Sequence, residues 1–567
     1  MPHPCPRRFV FLVSAWLLAL AASRAETAAA FPVAIQVDAA RPIGAMKPFW
    51  RYFGADEPNY GTMKDGRKLI GELGDLAPGM VHFRAHNLLT SGDGTPALKW
   101  GSTNAYTEDA AGHPVYDWTI VDRIFDTYLA RGVRPYVEIG FMPEALSTRP
   151  EPYQHDWRPG SGKLDTGWSY PPTDYAKWGE LVYQWTRHCV EKYGRAEVEH
   201  WYWECWNEAN YPAYWHGTPE EFLKLHDYAI AGVRRALPTA RVGGPDSAGP
   251  GGKFMEAFLE HCLRGSNYAT GARGTPLDFV SFHAKGAPTF VDNRFVRMGI
   301  AHQLTDIDHG FAAIAGHPEL RQTPIIIGES DPDGCAACTS SVYPQNNYRN
   351  GTLYASYTAA TFGRELALAD RHGVNLEGAL TWAFEFEDQP YFAGFRALAS
   401  NGIDLPVLNT FRLLNRMAGQ RVAVTSTGEV PLDDIIAHGV RGPNADVAAL
   451  ASLDAHQLAV LVWHYHDDDV PGPDAAVTLK VGGLPAGVRT ARLAHYRIDQ
   501  EHSNAFTAWQ RMGSPAGPNR KQYEELVAAG QVATLGAPAA VSPDQGAVTV
   551  DIDLPRQAVS LLVFTWD

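Results

Sequence analysis

The chain is poor in cysteine, with six in 567 residues, and short of positive charge: 48 Lys and Arg stand against 63 Asp and Glu, a formal charge of −15. So few thiols exclude a disulfide-dense scaffold. No second CxxC accompanies Cys335-Ala336-Ala337-Cys338, so a local disulfide in an oxidising compartment outweighs its rival, a zinc site. Cys189, Cys205 and Cys262 read as small buried hydrophobes. The acidic balance argues against nucleic acid or a membrane surface as partner. No internal apolar run reaches membrane-spanning length. The one long run, 9–22, follows Arg7-Arg8 and precedes Ser23-Arg24-Ala25, the pattern of a secretory signal over 1–25 rather than a retained anchor. Its removal takes away three arginines and no acid, moving the charge from −15 to about −18, and predicts a secreted or periplasmic protein.

What the chain has is alternation. From about 45 to 405, short apolar strands (52–56, 81–87, 134–141, 200–207, 241–245, 279–284, 324–329, 378–384) alternate with helical periodicity. In 118–131, Val121, Ile124, Phe125, Tyr128 and Leu129 share one face. Thr173-Asp174 and Thr218-Pro219-Glu220-Glu221 open two further helices. Eight such units predict an α/β fold, a (β/α)8 TIM barrel over 45–405. Beyond 405 the texture turns to strands punctuated by Gly and Pro. A β-sandwich over 406–567 is expected, with a strand from 26–44 joining it and a helical insert around 509–526. The acidic run 466–469 with Asp474 reads as a solvated hairpin loop rather than a calcium site.

Two strand tips carry the chemistry. The run HWYWECWNEAN places Asn207 and Glu208 at the end of the fourth strand, and TPIIIGESD places Glu329 at the end of the seventh. A lone strand-end Glu is more often a solvated loop residue. A pair on the same barrel face among aromatics is what a retaining glycosidase needs. Glu329 would attack the anomeric carbon. Glu208 would protonate the leaving oxygen and then serve as base for water, and Asn207 would hold the 2-hydroxyl. Neither metal nor organic cofactor is required. His86 on the second strand, His283 and Lys285 on the sixth, and Trp382, Glu385, Glu387 and Asp388 on the eighth face the same rim, with Asp56, Glu57 and Asn59 on the first.

Together WECWNEAN, SFHAKG, IIIGESD and TWAFEFED resemble glycoside hydrolase family 39, from about Gly54 to the end of the chain. The resemblance implies Glu208 as acid/base and Glu329 as nucleophile. It implies sugar-binding roles for His86, Asn207, His283 and Trp382, with Glu387 and Asp388 matching an acidic pair of the β-xylosidases. Lys285 stands where iduronidases carry a lysine toward the uronate carboxylate. The acidic pair would repel a uronate or neutralise Lys285. The expectation is therefore an exo-acting β-xylosidase taking a small oligosaccharide. Iduronidase-like or arabinosidase activity is the alternative, and a non-catalytic carbohydrate-binding barrel the remote one. Oligomeric state is not legible in the sequence.

Overall fold

The computed structural model describes residues 29–153, 157–160, 166–382, 384–443 and 445–567; the expected signal segment, 1–25, lies outside them. Eight parallel strands close a barrel in chain order: Tyr52–Ala55, Val81–Ala85, Val133–Ile139, Tyr202–Cys205, Arg241–Ser247, Phe279–Lys285, Pro324–Asp331 and Asn375–Thr381. Each expected strand has its counterpart. Ile325, Ile326 and Ile327 are wholly buried, as a strand covered on both faces requires.

The helices start where the sequence chemistry dictates. Asp174 accepts the amide N–H of Ala176 and Lys177 and caps Tyr175–Tyr193. Thr218 and Glu221 form a reciprocal capping box on Pro219–Ala236. Thr119–Leu129 buries Val121, Ile124, Phe125 and Tyr128 against the barrel.

The second domain is one ten-stranded sheet that curls on itself. Phe31–Ala45 enters its middle, antiparallel to Gln420–Ser426 and parallel to Ala475–Gly482. Val33, Ile35, Val477, Leu479, Leu562 and Phe564 meet in one apolar cluster, so the layers of the expected sandwich are halves of a single hydrogen-bonded sheet. The other face packs on the barrel helix Thr352–His372. Gly363 allows this approach: a Cβ there would lie 2.6 Å from the Trp463 ring. Arg364 of the same helix reaches Asp446 at 2.8 Å, and Asp446 also accepts the Trp463 indole N–H at 2.9 Å.

Two expectations need correction. The helical insert is two helices, Ala505–Arg511 and Arg520–Ala529, because Gly513, Pro515, Gly517 and Pro518 interrupt it. The run 466–469 is not simply solvated: Asp467 is buried and accepts from the Tyr465 hydroxyl at 2.6 Å, and Asp468 pairs with Arg297. Among the described residues no group of three or more His, Cys, Asp or Glu is placed to hold a metal ion.

Candidate active site

Alternate side chains of the barrel strands point inward, so barrel closure brings distant polar residues together. At the centre is Arg84 of the second strand, fully buried. Its Nε donates to Glu204 Oε2 at 2.9 Å and its Nη2 to Asn207 Oδ1 at 3.1 Å. Nη2 also lies 2.8 Å from Glu138 Oε2 and pairs with Asp246, while Nη1 is 3.8 Å from Glu329 Oε1. One guanidinium thus organises residues from the third, fourth, fifth and seventh strands. It does not compensate them all: burial pushes the Glu138 carboxyl well up and Glu204 up to about 7. His86 shares a 2.6 Å hydrogen bond with Glu138 through Nδ1, and burial keeps its imidazole well below its ordinary pKa and hence neutral.

Glu208 reaches the mouth by a kink. The fourth strand stops at Cys205, and Trp206 and Glu208 then take positive φ of 75° and 46°. Such strain costs about 1–3 kcal/mol per residue and persists only where packing over-determines it. Here Trp206 is wholly buried against Phe141 and Trp215, its indole N–H donates to Tyr214 O at 3.0 Å, and the Glu208 amide donates to Asp246 O at 2.9 Å.

Two cations then divide the carboxylates. His283 Nδ1 lies 2.8 Å from Glu208 Oε1 and Nε2 2.7 Å from Asp246 Oδ2. Burial alone would lower this imidazole, yet Asp246 first, then Glu329, raise it to about 10, so it is an imidazolium at neutral pH. On the other side Lys285 pairs with Glu329 Oε2 and with Asp331 at 2.9 Å. Burial would raise Glu329. Lys285, His283 and Arg84 overcome that and hold it well below the usual carboxylate range. Because His283 Nδ1 is 2.8 Å from Glu208 Oε1 and 3.8 Å from Glu329 Oε1, those oxygens are no farther apart than the sum, about 6.6 Å. Retention needs carboxyls about 5–5.5 Å apart, inversion about 6.5–9.5 Å.

Trp382 forms a wall. Its backbone N–H donates to Asp331 and its indole N–H to Asp56 Oδ1, each at 2.9 Å, and its ring lies 4.3 Å from that of His86. Gly54 makes room for it, since a Cβ there would meet the indole at 2.3 Å. On the far side of Asp56's carboxylate from that indole N–H, Lys99 Nζ lies 3.6 Å from Oδ2 and sits 4.5 Å over Trp100 and 5.6 Å over Trp157. Beyond the seventh strand, Cys335 and Cys338 form a disulfide. Arg349 holds this loop, donating to Cys335 O and Cys338 O at 2.7 Å each and to Asp333 at 2.6 Å.

The structure thus brings His86, Asn207, Glu208, His283, Lys285, Glu329 and Trp382 to one face, and treats the remaining acids differently. Glu387 Oε2 accepts the Asp65 and Gly66 amides at 2.9 and 3.2 Å, at the start of helix Lys64–Leu76. Asp388 is exposed with φ 60°. Glu385 accepts the Gly402 N–H, and Glu57 caps the turn Pro58–Thr62, accepting the Asn59 and Tyr60 amides and the Asn59 side-chain N–H. The expectation that Glu387 and Asp388 neutralise Lys285 is corrected: Glu329 and Asp331 do so. Arg84, Glu138, Glu204, Asp246, Asp331 and Lys99 went unassigned in the sequence. For Glu138 and Glu204 the available signal was a single acid inside an apolar strand, as in YVEIG and WYWECW.

A family profile described as Glycosyl hydrolases family 39 matches residues 33–546. The chain is 26% identical to a beta-xylosidase of Caldicellulosiruptor saccharolyticus over 88% of this chain and 91% of that one. It is 24% identical to the alpha-L-iduronidase of Mus musculus over 94% and 80%. The solved GH39 enzyme from Xanthomonas axonopodis pv. citri superposes with a TM-score of 0.71 at 23% identity, covering 95% of this chain and 98% of that one.

Proposed function

The chain belongs to glycosyl hydrolases family 39, and from that premise we propose that this glycosidase is a retaining β-xylosidase that releases D-xylose from the non-reducing ends of xylo-oligosaccharides. The observation that carries the substrate choice is the engagement of Lys285. Its ammonium is shared by Glu329 and Asp331, so its charge is already offset by two resident anions before a sugar carboxylate arrives. A neutral pentose has no such competition.

The residues then act in sequence. Glu329, ionised, attacks the anomeric carbon as Glu208 gives its proton to the departing oxygen, forming a glycosyl-enzyme. The Asn207 Nδ2, buried without a hydrogen-bond partner among the described residues, is held by Arg84 through the other end of its amide and can donate to the 2-hydroxyl. Once the leaving sugar departs, Glu208 takes a proton from water, which cleaves the intermediate with a second inversion. His283 bridges both carboxylates and stabilises whichever is ionised.

A uronate such as an α-L-iduronide is the competing reading, and the presence of Lys285 in the site favours it. Turnover of nitrophenyl β-D-xyloside and of an aryl α-L-iduronide by the same preparation decides between them. Xyloside turnover at least about 100-fold more efficient in kcat/KM is expected, since a buried uncompensated charge costs several kcal/mol. Activity on the iduronide alone would overturn the substrate reading while leaving the glycosidase site intact.

A further inference from the structure

The β-xylosidase resemblance places the acids that grip the sugar's outer hydroxyls on the eighth strand, yet here Glu385 and Glu387 serve backbone amides and Asp388 is exposed. A carboxylate that does enter the pocket wall belongs to the first strand. Asp56 is buried; Oδ1 accepts the Trp382 indole N–H, and Oδ2 is buried with no hydrogen-bond partner among the described residues. Lys99 Nζ, itself in a buried side chain, lies 3.6 Å from that oxygen, too far for a good hydrogen bond, and rests over the Trp100 and Trp157 rings. An acceptor and a donor side by side, each short of partners, match two adjacent hydroxyls of one sugar.

Position says which ones. His86 Nε2 is 3.8 Å from Glu329 Oε1 and 3.7 Å from Asp56 Oδ1, so it bridges from the nucleophile to Asp56. A ring whose C1 faces Glu329 and whose O2 faces Asn207 presents O3 and then O4 along that path. We infer that Asp56 and Lys99 form the subsite that reads O3 and O4 of the terminal sugar and thereby restrict cleavage to chain ends. The inference rests on the exo-glycosidase reading above and supplies its specificity. With O4 held between a carboxylate and an ammonium behind two indoles, a further sugar attached at O4 has no path.

The test is a cycle between residue and hydroxyl, using nitrophenyl β-D-xyloside and its 4-deoxy analogue with the full chain, Asp56→Asn and Lys99→Met. In the wild type, loss of O4 takes a hydroxyl partner from the charged pair and lowers kcat/KM about 100-fold or more. In each variant the same deletion costs less than about tenfold, because the partner is already gone. A penalty as large in the variants as in the wild type would overturn the assignment, as would a wild type indifferent to the missing hydroxyl. Equal losses on both substrates would mark a purely structural ion pair. Should the wild type cleave only another aryl pyranoside, the xyloside reading fails, and the same ratio measured with that sugar and its 4-deoxy form still judges Asp56 and Lys99. If it cleaves none, both readings fall.

Discussion

Two glutamates with the same intrinsic acidity can take opposite roles only if their surroundings differ. Glu329 faces the cations of Lys285, Arg84 and His283 and is held ionised; Glu208 touches the shared imidazole and is partly open to solvent. That asymmetry carries a prediction about leaving groups. In Glu208→Gln the acid is lost but the nucleophile is untouched. For xylobiose, whose leaving oxygen needs a proton, kcat/KM falls about 10²–10⁴-fold. For a dinitrophenyl xyloside, which departs without one, kcat/KM falls less than about tenfold, while kcat drops because water is no longer activated. Equal losses in kcat/KM on the two substrates would mean that Glu208 is not the acid. The strand-tip glutamates were legible because each follows an apolar run and stands out from it. Arg84 and its ring of acids were not: their partnership exists only after the barrel closes, bringing Glu138, Glu204 and Asp246 to one guanidinium from three strands.

At the scale of elements, the eighth strand shows how a side chain's role follows from what reaches it. TWAFEFED reads as a sugar-gripping rim, yet helix Lys64–Leu76, more than 300 residues earlier, presents its open N–H groups to Glu387. No local pattern in the sequence announces that meeting. Glu387→Ala should therefore behave as the loss of a helix cap, destabilising the fold by about 1–2 kcal/mol, read as a lower midpoint in thermal or urea unfolding with KM for the xyloside little changed. A raised KM with unaltered unfolding would restore the sugar-binding role. The helix starts, by contrast, were readable: Asp174 and Thr218 cap the elements that follow them because their chemistry is local. The kink at Trp206 and Glu208 was not readable, since positive φ at bulky residues is imposed by burial around it.

The whole molecule joins a barrel that carries the chemistry to a curled sheet that supports it. Barrel and sheet share a core through Gly363, Trp463 and the Arg364–Asp446 pair. The barrel was legible from eight repeats of strand and helix. The N-terminal strand's joining of the second domain was legible too; its place in the middle of a single curled sheet was not, because sequence order does not encode strand order. All of this architecture serves one geometrical fact, two glutamates close enough for the same imidazolium to touch one and approach the other. The direct test is proton NMR of the first sugar released from nitrophenyl β-D-xyloside, recorded before mutarotation. Double displacement at Glu329 predicts β-xylose as the first product. If α-xylose forms first, water attacks directly, and Glu329 is not a nucleophile.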